Sequence, residues 1–333
     1  MKKVLITGCA GLLGNHFSRY LLDRNYDVVG IDNFSGSYRD YVDDRIFDNR
    51  QFHTINLLNI NAVNIIFEEY KPDVVFHFAA YAALGLSPFI RNFNYTNNIL
   101  ASVNVVNACV NNDVRKLVFT SSMDVYGNQT PPFTEDMIPR PEDPYGIAKY
   151  AVELDIKEAH ERFGLEYTIV RPHNVVGIYQ NIWDKYRNVL GIWIRQVINN
   201  EPINIYGDGG VKRAFSDIKY YLLPFEKIIN NFDGEIFNMG SDNVHTLNEV
   251  GEIVSLVGKN FGFNVETKHL EARKEVKSAY CNHDKAKQKL GFEDNTDLLK
   301  TTNEMFEWVL SEPKRDVVKM PYEINKNIYS FWK

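Results

Sequence analysis

The sequence predicts an α/β fold, a doubly wound parallel sheet with a smaller α/β substrate-binding domain added to it. Three observations carry this. Short β-branched runs alternate with longer helical patterns through the first half of the 333 residues, and such alternation implies crossover connections, parallel strands and helices on both faces. A turn with regularly spaced glycines follows the first apolar run. Beyond residue 172 the alternation weakens into a Trp- and Asn-rich stretch, HNVVGIYQNIWDKYRNVLGIW.

Taken in order, VLIT (4–7) is the first strand and residues 12–24 the first helix; VVGID (28–32) is the second strand and ends in a polar loop. A helix near 61–70 leads to VVFHFAA (74–80), a long helix near 94–111 to KLVFTSS (116–122), and a helix over 144–163 to YTIVRP (167–172). Roughly six parallel-strand units result. EIFNMG (235–240) again reads as a buried strand, so the chain is expected to rejoin the sheet. The expected division is therefore 1–172, with a return segment at about 214–240, for a dinucleotide domain, and 173–213 with 241–333 for substrate binding.

Composition narrows the function classes. Apolar residues make up 44% of the chain, enough for a sizeable core, and the net charge of -6 comes without a dense Lys/Arg block; nucleic acid is not an expected partner. Cys9, Cys109 and Cys281 are scattered, odd in number and without a CxxC pair. Neither a disulfide framework nor a metal site is expected, and a reducing, cytoplasmic location is. The opening MKKVLITGCAGLLG has too short an apolar run for a signal peptide, and no run reaches the about 20 residues that span a bilayer.

Gly8, Gly11 and Gly14 stand three residues apart, directly after the first strand and at the opening of the first helix. An ordinary strand-to-helix turn could look the same. Glycines here also let the backbone approach a pyrophosphate, while the helix N-terminus offers free N–H donors and a partial positive charge. Context favours the second reading: Asp32 ends the second strand, 18 residues past Gly14, where a carboxylate accepts both ribose hydroxyls and repels a 2′-phosphate. The expected cofactor is NAD rather than NADP. Asn56, after FHTI, falls where the next loop could bring an amide to the adenine edge.

Tyr145 and Lys149 are four residues apart on a helix and share a face. The same spacing recurs at Tyr322/Lys326 and Tyr329/Lys333, but only the first pair follows a strand ending in paired serines; the others are expected to be surface or packing residues. A tyrosine is a poor base at neutral pH unless an adjacent ammonium and a positive nicotinamide favour its phenolate. Tyr145 could then take a hydroxyl proton as hydride leaves the same carbon, with Ser122 aligning the reacting oxygen and Lys149 also holding the nicotinamide ribose.

With these residues in place the chain, from residue 1 to about 310, resembles the extended short-chain dehydrogenases, specifically nucleotide-sugar 4-epimerases of the UDP-glucose 4-epimerase type. The carriers are TGCAGLLG, GIDN, HFAAYAALGLS, YTNNILASVNVVNAC, VFTSSMDVYG, PYGIAKY, VRPHNVVG, INIYGDG, FNMGS and KAKQKLGF. The resemblance implies cofactor contacts from Leu12, Leu13, Asn33, Leu57, Phe78, Ala79, Ala80, Asn98 and Pro172, with His77 opening the supporting segment and His173 packed against nicotinamide, a core or capping histidine being the other reading. It implies substrate contacts from Ser87 at the sugar, a helix cap being the other reading, from Asn174 and Arg213 at the diphosphate, the backbones of Val189 and Leu190, and Tyr206 against the base. Arg273 lies one residue from a second phosphate-binding arginine, since an ungapped match puts Ala272 there. Ala214, Lys219 and Tyr220 depart from the family pattern, and Ala279 replaces a tyrosine beside the sugar, which would leave room for an N-acetyl group.

The expected activity is 4-epimerisation of a nucleotide hexose, UDP-glucose/UDP-galactose or the N-acetyl form, by a homodimer formed through the helices near 94–111 and 144–163. A 4,6-dehydratase or a UDP-glucuronate decarboxylase is the rival, and an NAD-sensing protein without activity the non-enzymatic one. In similar dehydratases Asp and then Glu follow the catalytic hydroxyl, acting as acid and base. Here Met123 and Asp124 stand there, a thioether cannot donate the proton, and the elimination pair is broken.

Overall fold

The computed structural model describes residues 2–273 and 276–332. The first half runs β1 (Lys3–Thr7), α1 (Leu12–Leu22), β2 (Asp27–Asp32), α2 (Asp44–Asp48), β3 (Phe52–Thr54), α3 (Ile60–Tyr70), β4 (Val74–His77), α4 (Arg91–Tyr95), α5 (Ala101–Asn111), β5 (Lys116–Thr120), α6 (Pro144–Phe163) and β6 (Glu166–Pro172). It continues through β7 (Val175–Val176), α7 (Val189–Ile198), β8 (Ile203–Tyr206), β9 (Lys212–Ala214), β10 (Ser216–Asp217), α8 (Leu222–Ile228), β11 (Glu235–Met239), β12 (Val244–Thr246), α9 (Leu247–Asn260), β13 (Thr267–Leu270), β14 (Ser278–Ala279), α10 (Asp284–Leu290) and α11 (Leu298–Ser311). Seven strands make the main sheet in the order β11-β6-β5-β4-β1-β2-β3, every pairing parallel. The expected doubly wound sheet is there, and EIFNM returns to its edge as β11 beside β6.

Alternation along the strands explains the continuous apolar runs. Val4, Ile6, Val28, Phe76 and Val118 point to one face and meet Phe17, Leu21 and Phe225. Leu5, Val29, Val75, Leu117 and Phe119 point to the other and meet Val63, Phe67, Val105 and Val152. Both faces are covered, so both residue sets must be apolar. A third cluster joins Trp193, Val197, Ile205, Val250, Val254 and Phe306, from α7, β8, α9 and α11. Not all of 241–333 goes with it: Ala286, Leu290 and Phe292, on and after α10, pack into the cluster around α1 and β11.

Two departures from the expected elements shape the site. The apolar run through Ala80 suggested a strand to that residue, but β4 stops at His77 and Phe78–Ala80 leave the ladder to line a cleft. A single long helix was expected near 94–111; instead a π-helical turn, Thr96–Leu100, joins α4 to α5. Such turns insert a residue where a helix must bring side chains to a site. Near the C-terminus Tyr322, Ile328, Tyr329 and Trp332 pack against Tyr81, Leu86 and Phe89, so the tyrosines of the two later Tyr-x-x-x-Lys copies are packing residues; Lys326 is exposed and Lys333 lies outside the described residues. Among the described residues no helix is long and apolar enough to cross a membrane.

Candidate active site

Gly8, Gly11, Asp32, Asn33, Asn56, Leu57, Phe78, Ala79 and Ala80 line one cleft at the carboxyl ends of β1 to β4. Strand order reverses between β1 and β4, and ligands of open α/β sheets bind at such switch points. Gly8 has φ +71°, and a Cβ there would stand 2.7 Å from the Ala79 nitrogen; only glycine leaves the cradle open. At α1 the N-terminus has no side-chain cap and no acidic residue in its first turn, so its N–H groups and dipole are available to an anion. Asp32 accepts from the Ala10 and Phe34 amides at 3.0 and 2.8 Å; burial pushes its carboxyl up and these amides pull it down. An open cradle, free donors and a carboxylate together fit a dinucleotide.

Several expected residues sit behind this lining. A Cβ on Gly14 would meet the Gly8 carbonyl at 2.2 Å, so Gly14 lets α1 lie against the turn. The side chains of Leu12 and Leu13 pack on the core, leaving only their backbone to face a ligand. Asn98 accepts from the Tyr81 amide (2.8 Å) and donates to its carbonyl (3.1 Å), bracing the loop rather than entering the cleft. His77 is buried between Thr7 Oγ1 (2.6 Å) and Ser102 Oγ (2.8 Å), and burial, then Lys149, lowers its pKa to about 3. Arg187 was missed. It lines the cleft, donates to the Gly36 carbonyl (2.9 Å) and pairs with Asp184 (2.8 Å); reaching in from a remote segment, it follows no motif spacing.

The second half of the site gathers where β5 ends. Ser122 opens a 3-10 turn, Met123–Tyr126, and its hydroxyl donates to Asp124 Oδ2 at 3.0 Å. Tyr145 stands in the first turn of α6, whose N-cap Asp143 accepts from the Tyr145 and Gly146 amides at 2.9 and 3.0 Å. Lys149, one turn on, donates to the Thr120 carbonyl at 2.8 Å, with its ammonium nitrogen 6.0 Å from the Tyr145 ring centre. Burial, then Asp124, pushes the Tyr145 phenol up, while its hydrogen bond with Ser122 pulls it down. Burial lowers Lys149 to about 7. Burial and Asp143 raise Asp124 to about 7, against Ser122 and Arg213. The site thus holds two weak acids and a weak base, each poised by desolvation.

Gly146 sets this convergence. A Cβ there would lie 2.7 Å from the Asp124 carbonyl oxygen, so α6 can approach the 3-10 turn only with glycine at that position. Gly146→Val should push Tyr145 away from Ser122. A drop in turnover of at least about tenfold, measured with the cofactor still bound, is the expected result.

The remaining expected residues form an outer wall. Ser87, expected at the sugar, is wholly buried; it donates to the Leu84 carbonyl (2.9 Å) and to Asp143 (3.3 Å), supporting the Tyr145 helix cap from behind. Asn174, at φ +41°, donates to the Ala214 carbonyl at 2.9 Å. Val189 and Leu190 begin α7, and the Leu190 amide is already taken by Asn188. Arg213 lies close enough to Asp124 to lower its pKa. Tyr206 packs against Phe331 (4.3 Å between ring centres) and under the Arg273 guanidinium at 4.2 Å. Arg273 reaches this wall, whereas Ala272 sits over Gly207. Pro172 ends β6 in register with Met239. His173 follows it, buried. Ala279 packs with Met123 and Phe133, and Lys219 is spent on Asp217 at 2.9 Å.

Comparison with known proteins places the chain in a family. The model of the NAD dependent epimerase/dehydratase family matches residues 4–240. A UDP-glucuronate 4-epimerase of Thermodesulfobacterium geofontis is 29% identical, over 87% of this chain and 90% of the relative. A UDP-N-acetyl-alpha-D-glucosaminuronate decarboxylase of Bacillus cytotoxicus is 30% identical, over 75% and 78%. Among solved structures, the UDP-glucose 4-epimerase of Thermotoga maritima with UDP-glucose superposes with a TM-score of 0.85 at 27% identity, covering 92% of this chain and 98% of that one.

Proposed function

The chain belongs to the NAD-dependent epimerase/dehydratase family, and on that premise we propose that it inverts C4 of a UDP-hexose, glucose/galactose or an N-acetylated form, through a 4-keto sugar. The observation that carries this is the convergence of Ser122, Tyr145 and Lys149 beside Met123. Met123 is buried against Phe133, Ala279 and Cys281, an apolar wall at the position where elimination requires an acid.

NAD, held by the turn at Gly8 and Gly11, by Asp32 and by the Phe78–Ala80 segment, would supply the hydride acceptor, and then the donor, for C4. Tyr145 takes the 4-hydroxyl proton and later gives it back, while Ser122 hydrogen-bonds the same oxygen. Because burial alone favours the phenol, a positive charge must offset it; Lys149, lowered to about 7 by burial against the pull of Glu153, is the protein's own source when protonated. Arg213, Arg273 and Asn174 hold the diphosphate, and the sugar, bound by fewer groups, is left free to turn over between the two hydride steps.

Asp124 favours a second reading, oxidation followed by loss of water or of carbon dioxide. It is a buried carboxyl near neutrality, bonded to Ser122, and the relatives include a decarboxylase. Incubation with UDP-glucose, UDP-N-acetylglucosamine and UDP-glucuronate, followed by proton NMR, separates the readings. A 4-epimer supports the first; a 4-keto-6-deoxy sugar or a UDP-pentose without any epimer refutes it.

The homodimer belongs to the same reading. Leu100, Ile147 and Leu154 are 56%, 40% and 49% exposed beside or on α5 and α6, an apolar face that a second copy would cover. Leu100→Glu combined with Leu154→Glu should give a monomer in sedimentation at micromolar concentration; an unchanged dimer would place the interface elsewhere.

A further inference from the structure

Asp242 of FNMGSD and His283 of YCNHDKAK have no role in the site described above, and the fold brings them together behind β6. Among the described residues, three metal-ligating side chains meet there: His173, Cys281 and His283, all buried, with donor atoms within 4.8 Å of one another. The geometry is that of a hydrogen bond and not of a chelate. His173 Nε2 lies 2.7 Å from His283 Nε2, the ring centres are 4.9 Å apart and the planes differ by 16°. The centre-to-centre distance exceeds the N···N distance by about two imidazole radii, so the rings face each other end to end; two ligands bent around a tetrahedral ion would stand farther apart.

The far end of the pair fixes the protons. His283 Nδ1 lies 2.8 Å from Asp242 Oδ1, and a carboxylate can only accept, so Nδ1 carries a hydrogen; burial lowers the pKa of this ring, and its Nε2 is left bare. His173 then donates from Nε2 to that bare nitrogen. Lys287 in turn holds Asp242, half exposed at the surface. Gly240 makes the arrangement possible: a Cβ there would lie 2.0 Å from His173 Nε2. The His173 amide is tied to the Met239 carbonyl at 3.3 Å. Backbone and ring are therefore both fixed.

We propose that Asp242 and His283 are positioning residues that lock His173 in the Nε2–H tautomer, as one neutral, immobile wall of the nicotinamide pocket. The inference rests on the reading that the nicotinamide lies at the carboxyl ends of β5 and β6, where Thr120 and Ser121 meet Val170, two residues before Pro172. A neutral imidazole there matters because the neighbouring ring alternates between one positive charge and none in every cycle. A cation would oppose the oxidised form, and a ring free to rotate would let the nicotinamide shift. Burial, then His283, lowers His173 to about 3, which agrees with a neutral ring.

Nitrogen-15 histidine spectra of the full-length protein, loaded with NAD⁺ or with NADH, test this without any sugar. His283 should appear as the Nδ1–H tautomer and His173 as the Nε2–H tautomer, and the His173 resonances should shift between the two cofactor states. The opposite tautomers, or a His173 signal blind to cofactor oxidation, would overturn the proposal. So would one tightly bound equivalent of zinc that is lost in Cys281→Ala. In turnover, His283→Leu should lower kcat about tenfold with KM nearly unchanged, whereas His283→Gln, whose side-chain carbonyl can accept from His173, should recover to within about twofold of the original. Equal losses in the two variants would also overturn it. Should no UDP-hexose be converted, the epimerase reading fails while the spectra still decide the relay.

Discussion

Replacing Tyr145 with Phe should lower turnover by about a thousandfold while the protein keeps its bound NAD. Proton transfer by a positioned side chain contributes about 10²–10⁴-fold, and the phenol is the one group in this site placed by a helix cap, a serine hydrogen bond and a lysine together. The ring stays in Phe, so the packing of this buried side chain is preserved. Turnover by NMR, with cofactor content read from its absorbance after denaturation, measures both halves. Substantial residual activity would move the base to Asp124, the carboxyl raised to about 7 that shares Ser122.

The second large effect is on stability. Glu153, on α6 one turn beyond Lys149, takes two hydrogen bonds from Arg171 of β6, at 2.9 and 2.6 Å, with both side chains buried. Arg171 also donates to the Tyr126 hydroxyl, which donates to Asn238 of β11. This network joins the helix bearing Tyr145 to two strands and to the VYG turn. Glu153→Gln leaves a buried guanidinium without its counter-charge, and the expected loss is about 3–5 kcal/mol, read as a lower urea midpoint. Replacing both partners, Glu153→Leu with Arg171→Met, should recover most of it, since the burial cost of both charges disappears together. A single variant as stable as the parent would mean that water reaches the pair.

The legible parts of this protein were those written in local period. Apolar runs marked β1, β2, β4, β5, β6 and the returning β11, because a strand covered on both faces has no polar alternative; the edge strand β3, three residues of which none is fully buried, carried no such run and was read as part of a polar loop. Tyr145 and Lys149 were legible through helical spacing after a strand ending in serines. What stayed hidden depends on where remote segments meet. Nothing near residue 187 marks it as a lining residue of a cleft built by residues 8–101. Ser87 and Asn98 fell in the right motifs but turn their polar atoms to backbone and helix cap. Tyr206 could be read as an aromatic wall, yet not that Phe331, 125 residues later, would pack on it. The end of β4 was misplaced because Phe78 to Ala80 are as apolar as the strand before them, and apolarity does not say whether a residue faces a core or a cofactor.

The three cysteines acquire a use from their burial. Cys9 lies under the glycine turn with its thiol raised to about 12 by burial, and burial likewise raises Cys109 in α5 and Cys281 beside the histidine pair. A disulfide reagent needs both thiolate and access, and the folded protein offers neither. Labelling must therefore wait for local opening. Because the thiols sit beneath the cofactor turn, in a sheet-covering helix and next to His283, their separate labelling rates would serve as three internal clocks, and NAD should slow the Cys9 clock most.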